Sequence, residues 1–430
     1  MQKFLVLIFV ILITVSCAKK NIKPAQQSVQ NCDCAQLVKP TLLPGSPLPA
    51  PVPDSPKANG EIQPTKSTST TEYALLKPSQ WDNIDGFAED DLAAAWPAWL
   101  RSCSTLINKA QWQATCAAAK VLDRPNKQAI QAYFTQHFNV YNATNQDGTE
   151  SGLITGYYEP VLKGSRNKSA QYAYPLYRQP NDLVTVELGD TYPELKYKRV
   201  RGKLLVDKEG RNKLVPYATR AEIEATSSPL AGNELVWIND IIDVFFLQVQ
   251  GSGLVKLDDG SEVHVGYADQ NGHAYHSIGR LLIERGELSA DQASMQGIKN
   301  WARNNLDKLR DLLNSNPSYV FFRELPAGLP GPLGALGVPI AAERSVAIDP
   351  KYVPLGAPIF LSTTQPNSQI PLKRLMVAQD TGGAIKGGVR ADFFWGAGNE
   401  AGEKAGAMKQ QGKIWVLLPK DLLPKDFKRY

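Results

Sequence analysis

Apolar positions along this chain change their period several times, and those changes mark out its parts. Lys3 precedes an unbroken apolar run from Phe4 to Ile13. The run is too short for a stable spanning helix and has the layout of an export signal. Prolines at 24, 40, 44, 47, 49, 51, 53, 56 and 64, with few aliphatic clusters, then make 18–72 read as a disordered tether. At about 3.1 Å per residue in extended polyproline geometry, it spans more than ~100 Å. Ordered sequence begins at Tyr73. Over 88–120, Leu92, Trp96, Leu100, Leu106 and Trp112 recur at roughly turn spacing and predict a helix, with a second over 126–138. The stretch SGLITGYYEPVL (151–162) is strand-like, and Tyr157, Tyr158 and Glu159 stand near its end beside Gly156 and Pro160.

From 163 to 243 short strand-like runs alternate with turn signals and predict a small β unit. Within it Thr219-Arg-Ala-Glu222 is a capping box opening a short helix. The segment 243–253 reads as a strand. Phe246, Gln248 and Gln250 fall on one side, and Phe245, Leu247 and Val249 on the other. The glutamines form a polar file that ends in Gly251-Ser252-Gly253, a groove candidate. Helices are predicted over 277–284 and 289–314, the second opened by the capping box Ser289-Ala-Asp-Gln292. Beyond them SYVFFREL, VPIAAERSVAID, APIFLSTT, PLKRLMVAQDTG and KIWVLLPKDL return to β patterning, so the chain is predicted mainly β with accessory helices. Three aspartates punctuate this last region where strand meets loop: Asp349, Asp380 and Asp392.

Length sharpens the picture, since 430 residues exceed one ordinary domain and 43% hydrophobic residues suffice for real cores. The net charge of +5 is mild, the basic residues are dispersed and no nucleic-acid-binding motif occurs, so nucleic acid is not an expected partner. Thr14-Val15-Ser16-Cys17 resembles the lipobox of bacterial lipoproteins, which makes Cys17 the expected lipidation site; an ordinary cleaved signal is the alternative. Ala18, not aspartate, follows Cys17, which by the sorting habit of such lipoproteins points to the outer membrane, facing the periplasm. In an oxidising compartment Cys103 and Cys116 are a candidate disulfide, while Cys32 and Cys34 read as a surface disulfide or free thiols. The four histidines (137, 264, 273 and 276) show no metal-ligand spacing and no nucleophile elbow is present, so neither metal nor cofactor is expected.

The candidate chemistry lies with the aspartates. Asp392 is followed by Phe393, Phe394 and Trp395, and apolar rings disfavour the ionised carboxyl and raise its pKa, as a proton donor at neutral pH requires. Asp380 has two readings open: a like charge acting on Asp392, or an acceptor of backbone N–H groups that pins Thr381-Gly382-Gly383. Asp349 precedes Pro350 and reads as a turn-starting residue. Lys386 is read either as a partner for a substrate carboxylate or as an exposed lysine. Tyr157, Tyr158, Glu159, Gln248, Gln250, Ser252, Gly253, Phe394 and Trp395 are the substrate-groove candidates, each with ordinary packing as the alternative, and Glu159 competes with Asp392 as an acid.

The ordered set DPKYVPLG, VAQDTGGAIKG and RADFFWGAGNEAG, with TGYYEP, PYATRAEIEA, FFLQVQGSG and NPSYVFF, resembles the membrane-bound lytic murein transglycosylase A family and its three-aspartate module across about 73–419. The resemblance implies a double-psi β-barrel formed by 73–160 and 320–430, a second β-barrel inserted over 161–319, and a groove between them. It also implies cleavage of the β-1,4 bond between N-acetylmuramic acid and N-acetylglucosamine of peptidoglycan glycan strands, leaving a 1,6-anhydromuramoyl end, with Asp392 as acid/base; Asp380, Asp349 and Lys386 are supporting candidates on the readings given above. One carboxyl suffices if the sugar's own C6 hydroxyl is the nucleophile, because intramolecular attack replaces the water that a second carboxylate activates in hydrolases. A non-catalytic wall-binding lipoprotein and a water-using glycoside hydrolase are the alternatives.

Overall fold

The protein is described from a computed structural model covering residues 73–192, 195, 198 and 200–427. The expected signal and tether, with Cys17, Cys32 and Cys34, lie outside the described residues. The N-terminal part runs β1 (Leu76–Ser79), α1 (Leu92–Leu106), α2 (Ala110–Lys120), α3 (Lys127–His137), β2 (Phe138–Ala143) and β3 (Gly152–Glu159). The stretch 88–120 is thus two helices and not one. Lys109, extended at the start of α2, breaks the stripe, and Cys103 and Cys116 join the two helices in a disulfide.

The middle of the chain supplies β4 (Val161–Ser165), β5 (Tyr174–Tyr177), β6 (Val184–Thr185), β7 (Arg201–Val206), β8 (Asn212–Val215), α4 (Arg220–Ile223), β9 (Glu234–Ile238), α5 (Ile241–Gln250), β10 (Ser252–Leu257) and β11 (Glu262–Gln270). Helices α6 (Ile278–Glu284), α7 (Met295–Asn304) and α8 (Leu306–Asn314) then lead into β12 (Val320–Glu324). One sheet is ordered β12-β11-β10-β4-β9-β5, and a bridge between Arg178 and Phe322 brings its two edges together. β12 therefore closes the inserted barrel instead of opening the return to the first one, so that barrel's sheet runs past 319 as far as Glu324.

Two further element predictions differ from the structure, one strand and one helix. The segment 243–253 is not a strand: it is the end of α5, followed by β10. The Asp240 side chain caps α5 by accepting from the Ile242 N–H (2.8 Å), and Gly251 ends it in the left-handed region at φ 85°. The helix is apolar nearly all round. Val244 and Leu247 enter the inserted barrel's core, while Ile242, Phe245 and Phe246 pack with α6–α8, so no polar face displays a 3.6-residue period. The expected helix over 289–314 begins only at Met295, where Ser294 accepts from the Gly297 N–H, and is interrupted at Asn305.

The return segment carries β13 (Ser345–Ile348), β14 (Pro358–Thr364), β15 (Pro371–Thr381), β16 (Ala391–Ala397), α9 (Gly398–Ala407) and β17 (Lys409–Pro419). β17 is long enough to pair with β3 through its first half and with β14 and β2 through its second. This closes a ring through β3, β17, β14, β15, β13 and β16, in which β13–β15 and β16–β3 are parallel. The fold is the expected double-psi β-barrel with a second barrel inserted. Its core holds Ile154, Val346, Ile348, Phe393 and Trp395, backed by the aromatic cluster of α1–α3. Gln379 of β15 donates to the Ala98 carbonyl and the Ser102 hydroxyl (2.9 Å each) of α1, and Arg344 pairs with Asp90 (2.7 Å). Because successive strand residues face opposite sides, anchoring Gln379 inward turns Asp380 outward.

Candidate active site

Strand register places the aspartates before any side chain is considered. Asp392 of β16 lies opposite Thr155 of β3 on one side and Ala347 of β13 on the other, and Ala347 in turn lies opposite Asp380 of β15. Residues paired across strands share a face, so Thr155, Asp392, Ala347 and Asp380 form one lateral row. Two strand spacings, on the order of 9.5 Å, separate the Asp392 and Asp380 backbones, and the methyl group of Ala347 leaves the space between them open. The next outward positions, Tyr157 and Phe394, pack ring to ring at 5.1 Å. With Ala347, Ile340 and Ile385 they make an apolar patch separate from the barrel core. Phe393 and Trp395 point the other way, into that core.

Asp392 is half-buried. Burial raises its pKa, against which a hydrogen bond from Thr155 and the charge of Arg390 act. The Thr155 hydroxyl meets Asp392 Oδ1 at 2.5 Å and also accepts from Arg390 Nη2 at 2.9 Å. Asp380 is pushed up to about 6, chiefly by burial. Its Oδ1 accepts from the Thr381 and Ala335 N–H groups (2.9 Å each), and its Oδ2 accepts from the Tyr157 hydroxyl (3.1 Å). The loop-pinning reading of Asp380 thus has a structural counterpart, since it fastens two loops; the charge of Asp392 is the smallest of the effects on Asp380, and Asp380 is not among the effects that shift Asp392. Buried Asp349 holds the loop from the opposite end, accepting from the Lys351 and Gly387 N–H groups (3.1 Å each). Lys386, in that loop, is exposed.

The loop lies close because two glycines permit it. A Cβ on Gly388 would sit 2.0 Å from the Thr144 carbonyl oxygen, and one on Gly152 would sit 1.8 Å from that of Val389. Asn145 adds an acceptor for the Val389 N–H (3.1 Å). Together these contacts deliver Arg390 to Thr155.

The remaining candidates lie along the exit from β3. Buried Tyr158 donates its backbone N–H to Gln250 Oε1 (3.0 Å) and aims its hydroxyl at Met295 Sδ (3.6 Å). Glu159 is 3% exposed, lies 3.4 Å from His264 Nδ1, and has its pKa raised by burial and lowered by His264. Ser252 and Gly253 open β10, whose Leu254 N–H bonds to the Pro160 carbonyl (2.9 Å). Gln248 stands apart from this group. It is buried in the insert, where its Oε1 accepts from Arg220, so no file of glutamines exists. A cavity of about 740 Å³ lined by Asp85, Glu89, Asp90, Glu343 and Arg374 contains none of the candidates.

Thr155, Ala347 and Arg390 were not singled out from the sequence. Thr155 sits inside the TGYYEP motif and Arg390 two residues before Asp392, the spacing that puts two strand side chains on one face; their signal was position relative to the aspartate, not residue type.

A double-psi barrel with an inserted barrel, and a desolvated aspartate beside a second one on its outer face, suit one class of chemistry, acid/base work by a buried carboxyl. Comparison with known proteins narrows it. Residues 153–323 match the MltA specific insert domain, and 344–418 match the 3D domain. Membrane-bound lytic murein transglycosylase A of Escherichia coli K12 is 37% identical over 273 residues, which make up 61% of this chain and 65% of that protein. The crystal structure of MltA from Neisseria gonorrhoeae is 36% identical with a TM-score of 0.69, the match covering 81% of this chain and 93% of that one. E. coli MltA with bound chitohexaose aligns at 27% identity and TM-score 0.57, covering 81% and 93%. The chain belongs to the membrane-bound lytic murein transglycosylase A family.

Proposed function

We propose that this chain is a peptidoglycan lytic transglycosylase that cleaves the β-1,4 bond between N-acetylmuramic acid and N-acetylglucosamine and leaves a 1,6-anhydromuramoyl end. The observation that carries this reading is the state of Asp392: a desolvated carboxyl with one oxygen held by Thr155, on a face that keeps solvent contact. Family membership supports the reaction class, and a related MltA holds chitohexaose, a glycan. In this reading protonated Asp392 donates to the leaving glycosidic oxygen. Its carboxylate then takes the proton from the C6 hydroxyl as that oxygen attacks the anomeric carbon. The C6 hydroxyl is already part of the sugar, so no second carboxylate has to activate water. Asp349 and Asp380 hold the loops around the acid. Tyr157 and Phe394 shape the apolar patch beside it, and Tyr158, Gln250, Ser252 and Gly253 belong to the junction where a glycan groove runs between the barrels. Lipidation at Cys17 places the enzyme on the outer membrane, facing the periplasm; among the described residues no helix is long and apolar enough to cross a membrane.

One observation favours a second reading. Asp380 lies on the same row as Asp392, at a backbone separation near the ~6.5–9.5 Å carboxyl spacing of inverting hydrolases. Against it, both Asp380 oxygens are occupied by Thr381, Ala335 and Tyr157. Mass spectrometry of products released from purified sacculi decides between them. Anhydro ends are expected, and free reducing ends identify a hydrolase. Undiminished release by Asp392→Asn removes Asp392 from the role altogether.

A further inference from the structure

Arginine is a donor only, so the contact from Arg390 Nη2 must use a lone pair of the Thr155 hydroxyl. The one hydroxyl hydrogen is then left for Asp392 Oδ1, which is the sole acceptor bonded to it among the described residues. If the acid proton of Asp392 sat on Oδ1, the Thr155 hydrogen would have to turn away and lose that bond in a half-buried setting. We infer that Arg390, acting through Thr155, is a positioning residue that fixes the acid proton of Asp392 on Oδ2. This inference rests on Asp392 being the acid/base.

The arrangement serves both halves of the proposed reaction. When Asp392 is neutral, Thr155 occupies Oδ1 and the donor oxygen is always the same one. When the proton has left for the glycosidic oxygen, the Arg390–Thr155 pair stabilises the carboxylate through Oδ1, and Oδ2 stays free to receive the C6 hydroxyl proton. The proton count closes: one leaves Oδ2 for the leaving group and one returns to Oδ2 from the sugar. Guanidinium geometry holds the hydroxyl in place, because Arg390 Nη1 is itself fixed by the carbonyls of Ala391 (2.5 Å) and Leu153 (3.3 Å).

The charged and titratable groups facing Asp392 are few. Among the described residues, Arg390 immediately precedes the strand of Asp392, Tyr157 lies on β3 and Asp380 on β15. β13 presents only Ala347 there, and Lys409 of β17, opposite Thr155, is exposed. Thr155 and Arg390 both act to keep the carboxyl ionised, so removing either moves the alkaline limb of the pH–rate profile, where the protonated acid is lost, to higher pH.

The test is the initial rate of soluble product release from sacculi between roughly pH 5 and 9 for wild type, Thr155→Val, Thr155→Ser, Arg390→Gln and Asp392→Asn, each confirmed folded by thermal melting. Thr155→Val and Arg390→Gln are expected to lower the plateau rate by about tenfold or more and shift the limb alkaline, while Thr155→Ser restores both. An unmoved limb in Thr155→Val, or a Thr155→Ser protein as slow as Thr155→Val, overturns the inference. Asp392→Asn separates the two failures. If it is inactive while the limb stays put, only the positioning role falls; if it is active, the assignment of the acid falls with it.

Discussion

Among the described residues, two regions hold carboxyls whose pKa burial raises, and they hold them differently. On the outer face of the double-psi barrel, Asp392 and Asp380 sit in a row with Thr155 and Ala347. At the crossing into the inserted barrel, four residues further along β3 than Thr155, Glu159 is enclosed with His264. In both places burial is the first cause of a raised pKa. What differs is access and compensation. Asp392 keeps solvent contact and is gripped on a single oxygen, whereas Glu159 is almost fully enclosed, with a histidine as its compensating partner. A perturbed carboxyl works as a proton donor only if it reaches the bond that breaks, and this criterion separates two candidates that desolvation alone leaves tied.

The sharpest way to break the comparison is to neutralise each carboxyl in turn. Asp392→Asn is expected to lower product release by about 10²- to 10⁴-fold, the usual contribution of a general acid/base, whereas Glu159→Gln leaves it within about threefold. The reverse ranking, read as soluble muropeptide release from sacculi, would move the active centre to the junction.

A smaller effect separates the two aspartates of the row. The pKa of Asp380 in the fold is about 6, above its ordinary value of 3.8. The stability it confers is therefore fully present below about pH 4 and is lost as pH rises through 6. Allowing for partial solvent screening, the swing is roughly 2 kcal/mol. Denaturant midpoints of wild type and Asp380→Asn at pH 4 and 7 should converge on a variant with the flatter profile. Parallel profiles would show that Asp380 is ionised without cost and so leave it free for chemistry.

Most of the barrel return was legible because its strands are long alternating or apolar runs bounded by turns. α5 was not legible: with Val244 and Leu247 serving one core and Phe245 and Phe246 another, its pattern carries no polar face to betray a helix. β12 was assigned to the wrong barrel because pairing partners are a property of topology, which local pattern does not encode. At the site the aspartates were visible as residue types in a motif. Thr155 and Arg390 became visible only through the parallel pairing of β16 with β3, two strands more than 230 positions apart in sequence. The same gap misplaced Gln248, whose amide accepts from Arg220. Gln248→Ala should therefore cost stability, about 1–3 kcal/mol for leaving that buried guanidinium N–H unpaired, with product release by the folded protein unchanged. A lower rate at full stability would return Gln248 to the groove.

The smallest expected effect tests the junction itself. Burial raises the Glu159 pKa, and His264 offsets part of that displacement, so its contribution to stability has the same sign as that of Asp380. It is present below the ordinary carboxylate range and declines as pH rises through the value in the fold. Replacing His264 with glutamine removes the charge that lowers the Glu159 pKa, so the decline should steepen and shift to higher pH, and adding Glu159→Gln to that variant should abolish it. Midpoints measured for the single and double variants across the same pH range form a closed cycle. If the two substitutions add without interaction, Glu159 and His264 are neighbours and not a pair, and the contrast with Asp392 rests on access alone.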